Sequence, residues 1–395
     1  MILKQSLKLA GLAGALTMAA FTNVQAADPV KIGFITTLSG PTGYLGEDIR
    51  DGFKLAIEQE GGKLGGVPVE LMIEDDGLKP GAAKQITERM LKRDKVQIFT
   101  GLVFTHVLHA AVPDMLQAGA FYIGPNAAPQ EYAGKSCHKN YFAAAWENEN
   151  LHEAAGEAAN KAGYKNVYLI AANYQTGRDA VTGFRRLYKG NVAGEVYTRL
   201  DQTDYAAELS AIRQAKPDAV FQFLPGGLGI NFYKQFNQAG LDKEIGHIAN
   251  GSSADPRIIE ALGNAAIGIK YSAFWEPDFD NAANKKMVAD YRAKYKREPT
   301  MYVAQGYDAA RLIGSGLRAV NGDMKKSDQF RKALREAKFD SVRGKFLFGS
   351  NHNPIQDWYM YEIVAGPDGK PQRKNRGLLL ENHRDVHMDL CRMAG

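Results

Sequence analysis

The stretch 35-ITTLSGPTGYLGEDIRDGFKLAIEQEGG-62 runs from an apolar strand, through a loop holding Gly40, Gly43 and Gly46, into an amphipathic helix. Ile49, Phe53, Ala56 and Ile57 recur at helical spacing, and Gly61-Gly62 supplies the stop. A glycine-rich turn between strand and helix can hold a phosphate, expose a nucleophile, or let backbone approach a bound solute. A phosphate loop needs a lysine and a hydroxyl after its glycines, whereas here "YLGED" follows. The dinucleotide fingerprint fails on glycine spacing. Ser39 has no base nearby in the sequence, and no G-x-S-x-G elbow occurs. The remaining role is close backbone approach to a ligand, with Tyr44 and Leu45 as one wall.

Outward from this stretch, short apolar runs alternate with helical periods, the mark of a parallel sheet with crossover helices. "VPVELMIEDD" reads as a strand, Pro80 opens a helix, and "VQIFTGLVF" and "GAFYIGP" read as further strands around a helix from Thr105. After "YFAAAWENEN" the rhythm restarts, as at the start of a second domain. Helices are expected over 149–162, 281–296 and 303–319, and a late strand at "NPIQDWYMYEIV". The cluster "KPQRKNR" reads as a solvated face.

The N-terminus carries an address. Two lysines, the apolar run "LAGLAGALTMAAF" and the small-residue site "VQA" describe a cleavable secretory leader over 1–26 and imply export to a periplasm. That apolar run is shorter than the ~20 residues of a membrane span. The net charge of +5 falls to +3 once Lys4 and Lys8 leave with the leader, and the bases are scattered, so no nucleic-acid partner is expected. The 45% apolar content supports ordinary cores, and the length suits two domains. Cys137 and Cys391 are the two cysteines; in an oxidising compartment they either form a bridge across a very long loop, worth ~5 kcal/mol by chain entropy, or remain two separate thiols.

Other catalytic signatures fail. "HEAAGE" at 152 lacks the second histidine of a zinc protease. His106 and His109 lie three apart without a third ligand at a matching offset. Acids 74–76 suit a strand-end turn. No enzyme, metal or cofactor is expected.

"KIGFITTLSGPTGYLGEDIRDGFKLAIEQEGGKLGGVPVELMIEDDGLKP", "FTGLVFTHVLHAAVPDMLQAGAFYIGPNAAP", "FYKQFNQAGL" and "QGYDAARLIGSGL" keep the order and spacing of a known pattern. They resemble the type I periplasmic binding proteins of the branched-chain amino acid (leucine/isoleucine/valine-binding) class, the solute receptors of ABC importers. The resemblance implies an α/β fold of two doubly wound lobes joined by three hinge crossovers, at 144–147, 274–277 and 349–354. Lobe 1 would take 27–146 and 275–349, and lobe 2 would take 147–274 and 350–395. It also implies a monomer that clamps a small solute between the lobes and hands it to an inner-membrane permease. A sensor that shows its closed form to a membrane receptor would use the same fold.

Residue by residue, the resemblance puts Thr105 and Asn126 on a ligand carboxylate. Ala128 stands at the family's ammonium-binding threonine, Gly251 near its glutamate, and Thr176 and Pro225 at two of its tyrosines. A buried ammonium without partners costs several kcal/mol, so an amine-free acid fits better than an α-amino acid. A small change of alignment would bring in Asp255 or Asp278 as the missing anion. Phe104, Ala127, Trp146, Tyr174, Trp275 and Tyr302 complete the expected site, and their aromatic character suggests a flat or apolar ligand body.

Overall fold

The computed structural model describes residues 28–393, so the leader expected over 1–26 lies outside the described residues. A first sheet contains β1 (Val30–Thr36), β2 (Lys63–Leu64), β3 (Val67–Asp75), β4 (Ile98–Thr100), β5 (Phe121–Gly124) and β6 (Tyr141–Ala143). Helices α1 (Gly43–Gln59), α2 (Pro80–Lys92), α3 (Thr105–Gln117) and α4 (Gln130–Ala133) alternate with them. Its strand order is β2-β3-β1-β4-β5-β6, parallel except for β2.

Four helices lie between strands of a second sheet or follow them: α6 (Gln175–Leu187), α7 (Ala206–Ala215), α8 (Gly227–Gln238) and α9 (Pro256–Leu262), while α5 (Asn148–Lys161) leads into it. The strands are β7 (Asn166–Ala172), β8 (Asn191–Thr198), β9 (Ala219–Phe223), β10 (Gly246–Asn250) and β11 (Lys270–Ala273). The chain then runs through α10 (Ala282–Tyr295), α11 (Met301–Val320), which packs on α1, and α12 (Ser327–Glu336). It returns as β12 (Leu347–Phe348), β13 (Pro354–Ala365) and β14 (Pro371–His383), giving the order β12-β13-β11-β10-β9-β7-β8 with β14 paired to β13.

The chain therefore passes between the sheets after β6, after β11 and before the β12–β13 hairpin. Arg343 ties the first passage to the third: it donates to the carbonyls of Ala144 and Ala145 and to Gln356, and its Nε lies 3.0 Å from Asp308. Cys137 and Cys391 are joined as a disulfide, with Cα atoms 5.6 Å apart.

Several local readings change. α1 begins at Gly43, so two of the three loop glycines are helical. Gly40 is the turn residue, at φ +76°, whereas Gly46 serves close packing, since a Cβ there would lie 2.0 Å from the Thr37 carbonyl oxygen. β4 ends at Thr100 and does not continue through Phe104, because Gly101 takes φ +104° and turns the chain. β12 falls within the span expected for lobe 1 but pairs with β13 of the second sheet. The charged stretch at 371–376, largely exposed as expected, is also the first half of β14, a strand that hydrophobic alternation does not reveal.

Candidate functional site

In each sheet the strand order reverses beside the first strand, at β1/β4 and at β7/β9. The carboxyl ends of parallel strands at such reversals leave a crevice, and here the two crevices face each other. β1 leads to Leu45 on α1, β4 to Val103 and Phe104, and β5 to Asn126 and Ala127. From the second sheet, β7 leads to Tyr174 and Thr176, β9 to Phe223 and Pro225, and β10 to Ser252. Trp146 and Asn148 from the first passage, Leu151 and Tyr302 complete the lining of a narrow cavity.

Its walls are aromatic. The Tyr174 and Phe223 rings stack at 6.3 Å, Phe104 lies 6.0 Å from Tyr174, and Trp146 is braced by Phe274 at 5.5 Å. Among the described residues that line the cavity none is Asp, Glu, Lys, Arg or His. Polarity comes from neutral groups. Asn126 Nδ2 donates to Gln305 Oε1 at 2.9 Å. Thr105 and Thr176, from opposite lobes, share a hydroxyl hydrogen bond of 2.5 Å, and Asn148 Nδ2 donates to Thr105 Oγ1 at 3.2 Å and to Asp179 at 2.9 Å. Burial lifts the Asp179 carboxyl to about 6, against the hydrogen bonds from Asn148 and Gln175.

Nine of the expected residues line this cavity: Leu45, Phe104, Asn126, Ala127, Trp146, Tyr174, Thr176, Pro225 and Tyr302. Five do not. Thr105 lies behind the lining with its hydroxyl turned to Thr176 and Asn148. The Ala128 amide is held by Asn148 Oδ1 at 3.1 Å. Gly251 backs onto Met301, where a Cβ would lie 3.1 Å from the sulfur. Tyr44 turns its hydroxyl to Asp255 at the cleft rim, 2.8 Å away. Trp275 is committed to the second passage, its Nε1 donating to Asn284 Oδ1 at 2.7 Å. Val103, Asn148, Leu151, Phe223 and Ser252 line the cavity although sequence reading did not select them. Phe223 closes strand β9, and that position was the available signal, since it lies where the crevice must form.

The acids considered as ammonium partners are engaged elsewhere. Asp255 caps α9 by accepting from the amides of Arg257 and Ile258 through Oδ1, while Oδ2 takes the Tyr44 hydroxyl. Burial raises its carboxyl to about 6, against those hydrogen bonds. Asp278 accepts from the Tyr361 hydroxyl at 2.9 Å. The histidines are structural too: His152 is buried against Asn250 and pushed down to about 3 by desolvation. His106 packs edge-on to Tyr174.

Comparison with known proteins agrees with this architecture. A solute-binding protein of an ABC transporter from R. palustris, solved with benzoate, is 31% identical with a TM-score of 0.87, covering 92% of this chain and 100% of its own. Another from Rhodopseudomonas palustris BisB5, solved with 3,4-dihydroxybenzoic acid, is 26% identical with a TM-score of 0.83, covering 91% and 99%. The Leu/Ile/Val-binding protein homolog 6 of Brucella melitensis is 25% identical over 87% of this chain and 90% of its own. The family model for periplasmic binding proteins matches residues 29–370, and the chain belongs to that family.

Proposed function

We propose that this protein is the non-catalytic periplasmic receptor of an ABC importer, acting as a monomer that closes on an aromatic monocarboxylate and presents it to the permease. The observation that carries the reading is a small cavity walled by aromatic rings whose lining holds only neutral polar groups. A benzoate-like acid places its ring among Phe104, Tyr174 and Phe223. Its carboxylate takes hydrogen bonds from neutral donors at the Asn126, Asn148 and Thr176 end. An α-amino acid would bring a charged ammonium to a cavity with no acid in its lining; Asp179 behind Asn148 accepts from Asn148 and Gln175, and Asp255 has both oxygens occupied, while desolvating an unpaired ammonium costs several kcal/mol. The likeness to the 31%-identical benzoate-bound protein supports the same reading.

Thermal shift and calorimetry with benzoate, 4-hydroxybenzoate, cyclohexanecarboxylate, leucine and valine test it. A ligand at 100 times its Kd stabilises by about 2.7 kcal/mol, well within detection. Benzoates are expected to raise the melting temperature and leucine to leave it unchanged. Strong stabilisation by leucine or valine alone would overturn the assignment. Permease delivery is tested by benzoate-dependent stimulation of the ATPase of a reconstituted transporter.

A further inference from the structure

The segment after β14 crosses from one lobe to the other. His383 Nε2 lies 2.6 Å from Glu153 Oε2, and His387 Nε2 lies 2.8 Å from Glu149 Oε2, both acids on α5 beside the second sheet. Arg186 of α6 reaches the same two carboxylates. Four residues beyond His387, Cys391 is bonded to Cys137, which lies between α4 and β6 on the side of the first sheet.

Between these anchors the segment packs on the passages themselves. Asp385 accepts from Asn351 Nδ2 at 3.0 Å, and the same amide donates to the Ala133 carbonyl at 2.8 Å. A Cβ on Gly349 would lie 2.7 Å from the Met388 sulfur, and one on Gly134 would lie 3.4 Å from the His387 Cβ. Acceptor atoms of Glu147 and Glu149 and a ring nitrogen of His387 gather within 4.8 Å of one another. A cation is not needed to explain that cluster: Glu147 accepts from the amides of Glu149 and Asn150, and Glu149 is paired with Arg186 and His387.

We propose that residues 383–391 form a fourth connection between the lobes, closed covalently at Cys137–Cys391, that limits how far the cleft opens. The limit follows from reach. With the His387–Glu149 pair intact, four residues join the lobes, and such a run extends to about 14 Å at most. With that pair broken, the anchor retreats to the end of β14, and eight residues reach about 28 Å. The ion pairs thus set a short leash and the disulfide a longer one. The three other passages are single chain crossings free of a covalent tie of this kind.

The test uses the ligand-free mature protein, so it does not depend on which solute binds. Small-angle scattering and hydrogen exchange are compared for the oxidised protein, the same protein reduced after folding, Cys391→Ser, and the double variant His383→Ala/His387→Ala. Reduction and Cys391→Ser are expected to shift the radius of gyration upward and to speed exchange at 144–147 and 349–353. The histidine variant is expected to give a smaller upward shift, with the bridge intact. Reduction after folding keeps the test valid if Cys391→Ser folds poorly. A lower melting temperature with an unchanged radius in every form would show a local buttress and overturn the proposal.

Discussion

Tyr44 of the first lobe donates its hydroxyl to Asp255 of the second, 2.8 Å across the cleft rim and 211 residues along the chain. The bond exists only while the lobes are together, so it contributes to closure and not to the stability of either lobe. Tyr44→Phe leaves a buried carboxylate short of one donor in the closed form and full hydration in the open one. Ligand affinity should fall by about 1–2 kcal/mol, roughly a tenfold rise in Kd. Calorimetry checks this, with an unchanged melting temperature for the ligand-free protein as the control.

Arg257 sits beside this pair, its guanidinium 4.9 Å above the Tyr44 ring and paired with Asp48 of α1. Asp48 keeps Arg297 and Thr300 within its own lobe when Arg257 is removed. Arg257→Gln should therefore cost only about 1 kcal/mol of ligand affinity, in keeping with a partly exposed pair. The loss should appear as faster ligand dissociation in stopped-flow measurements.

Thr105→Val removes the hydroxyl that joins Thr176 and Asn148 behind the cavity. If that network holds a ligand carboxylate, affinity should fall by about 1.5–3 kcal/mol, the range for hydrogen bonds to charged groups. Titration with benzoate and with benzamide separates the effects: the loss should be large for the anion and small for the neutral amide.

Trp275→Phe addresses a residue that the resemblance placed in the site and the structure does not. Its Nε1 partner, Asn284 Oδ1, would lose a buried donor, costing about 1–3 kcal/mol of folding stability. Chemical denaturation should show that loss while ligand affinity stays unchanged.

The His387–Glu149 pair implies a pH dependence. The hydrogen bond that the ring donates to Glu149 holds the imidazole pKa above its ordinary value, burial opposes this, and the charges of Glu149 and Asp385 add to the rise while Arg186 subtracts. Glu131 also feels His387. Glu149 is itself shifted down, against its burial, by His387 and Arg186. A raised histidine contributes stability fully below its unfolded pKa of about 6.5 and loses it as pH rises through the folded value. The melting-temperature gap between wild type and His387→Gln should be widest near pH 5.5 and narrow toward pH 9.

Much of the architecture was legible because it is local. Helical spacing at Ile49, Phe53 and Ala56, the strand at Val67–Asp75 and the helix opened by Pro80 each follow from side chains a few residues apart. β14 escaped because it has a partner on one side only and carries Arg373, Lys374 and Arg376, so burial imposes little alternation on it. Within the cavity, Tyr174, just past the end of β7, could be named from the βα layout, while Asn126 was named from the family resemblance. Leu151, inside helix α5, could not be told from a core residue, since an apolar side chain carries the same local signal in either place.

The sequence by itself determined the alternation of strands and helices, the absence of nucleotide and catalytic signatures, and the family pattern that spans the chain. Tertiary structure alone decided which side chains meet. Whether Tyr44 faces solute or Asp255, whether Trp275 lines the cavity or braces a passage, and whether Cys391 reaches Cys137 across 254 residues all depend on how two separately wound sheets are set against each other. That placement comes from the summed packing of many distant contacts, and no short window of sequence contains it.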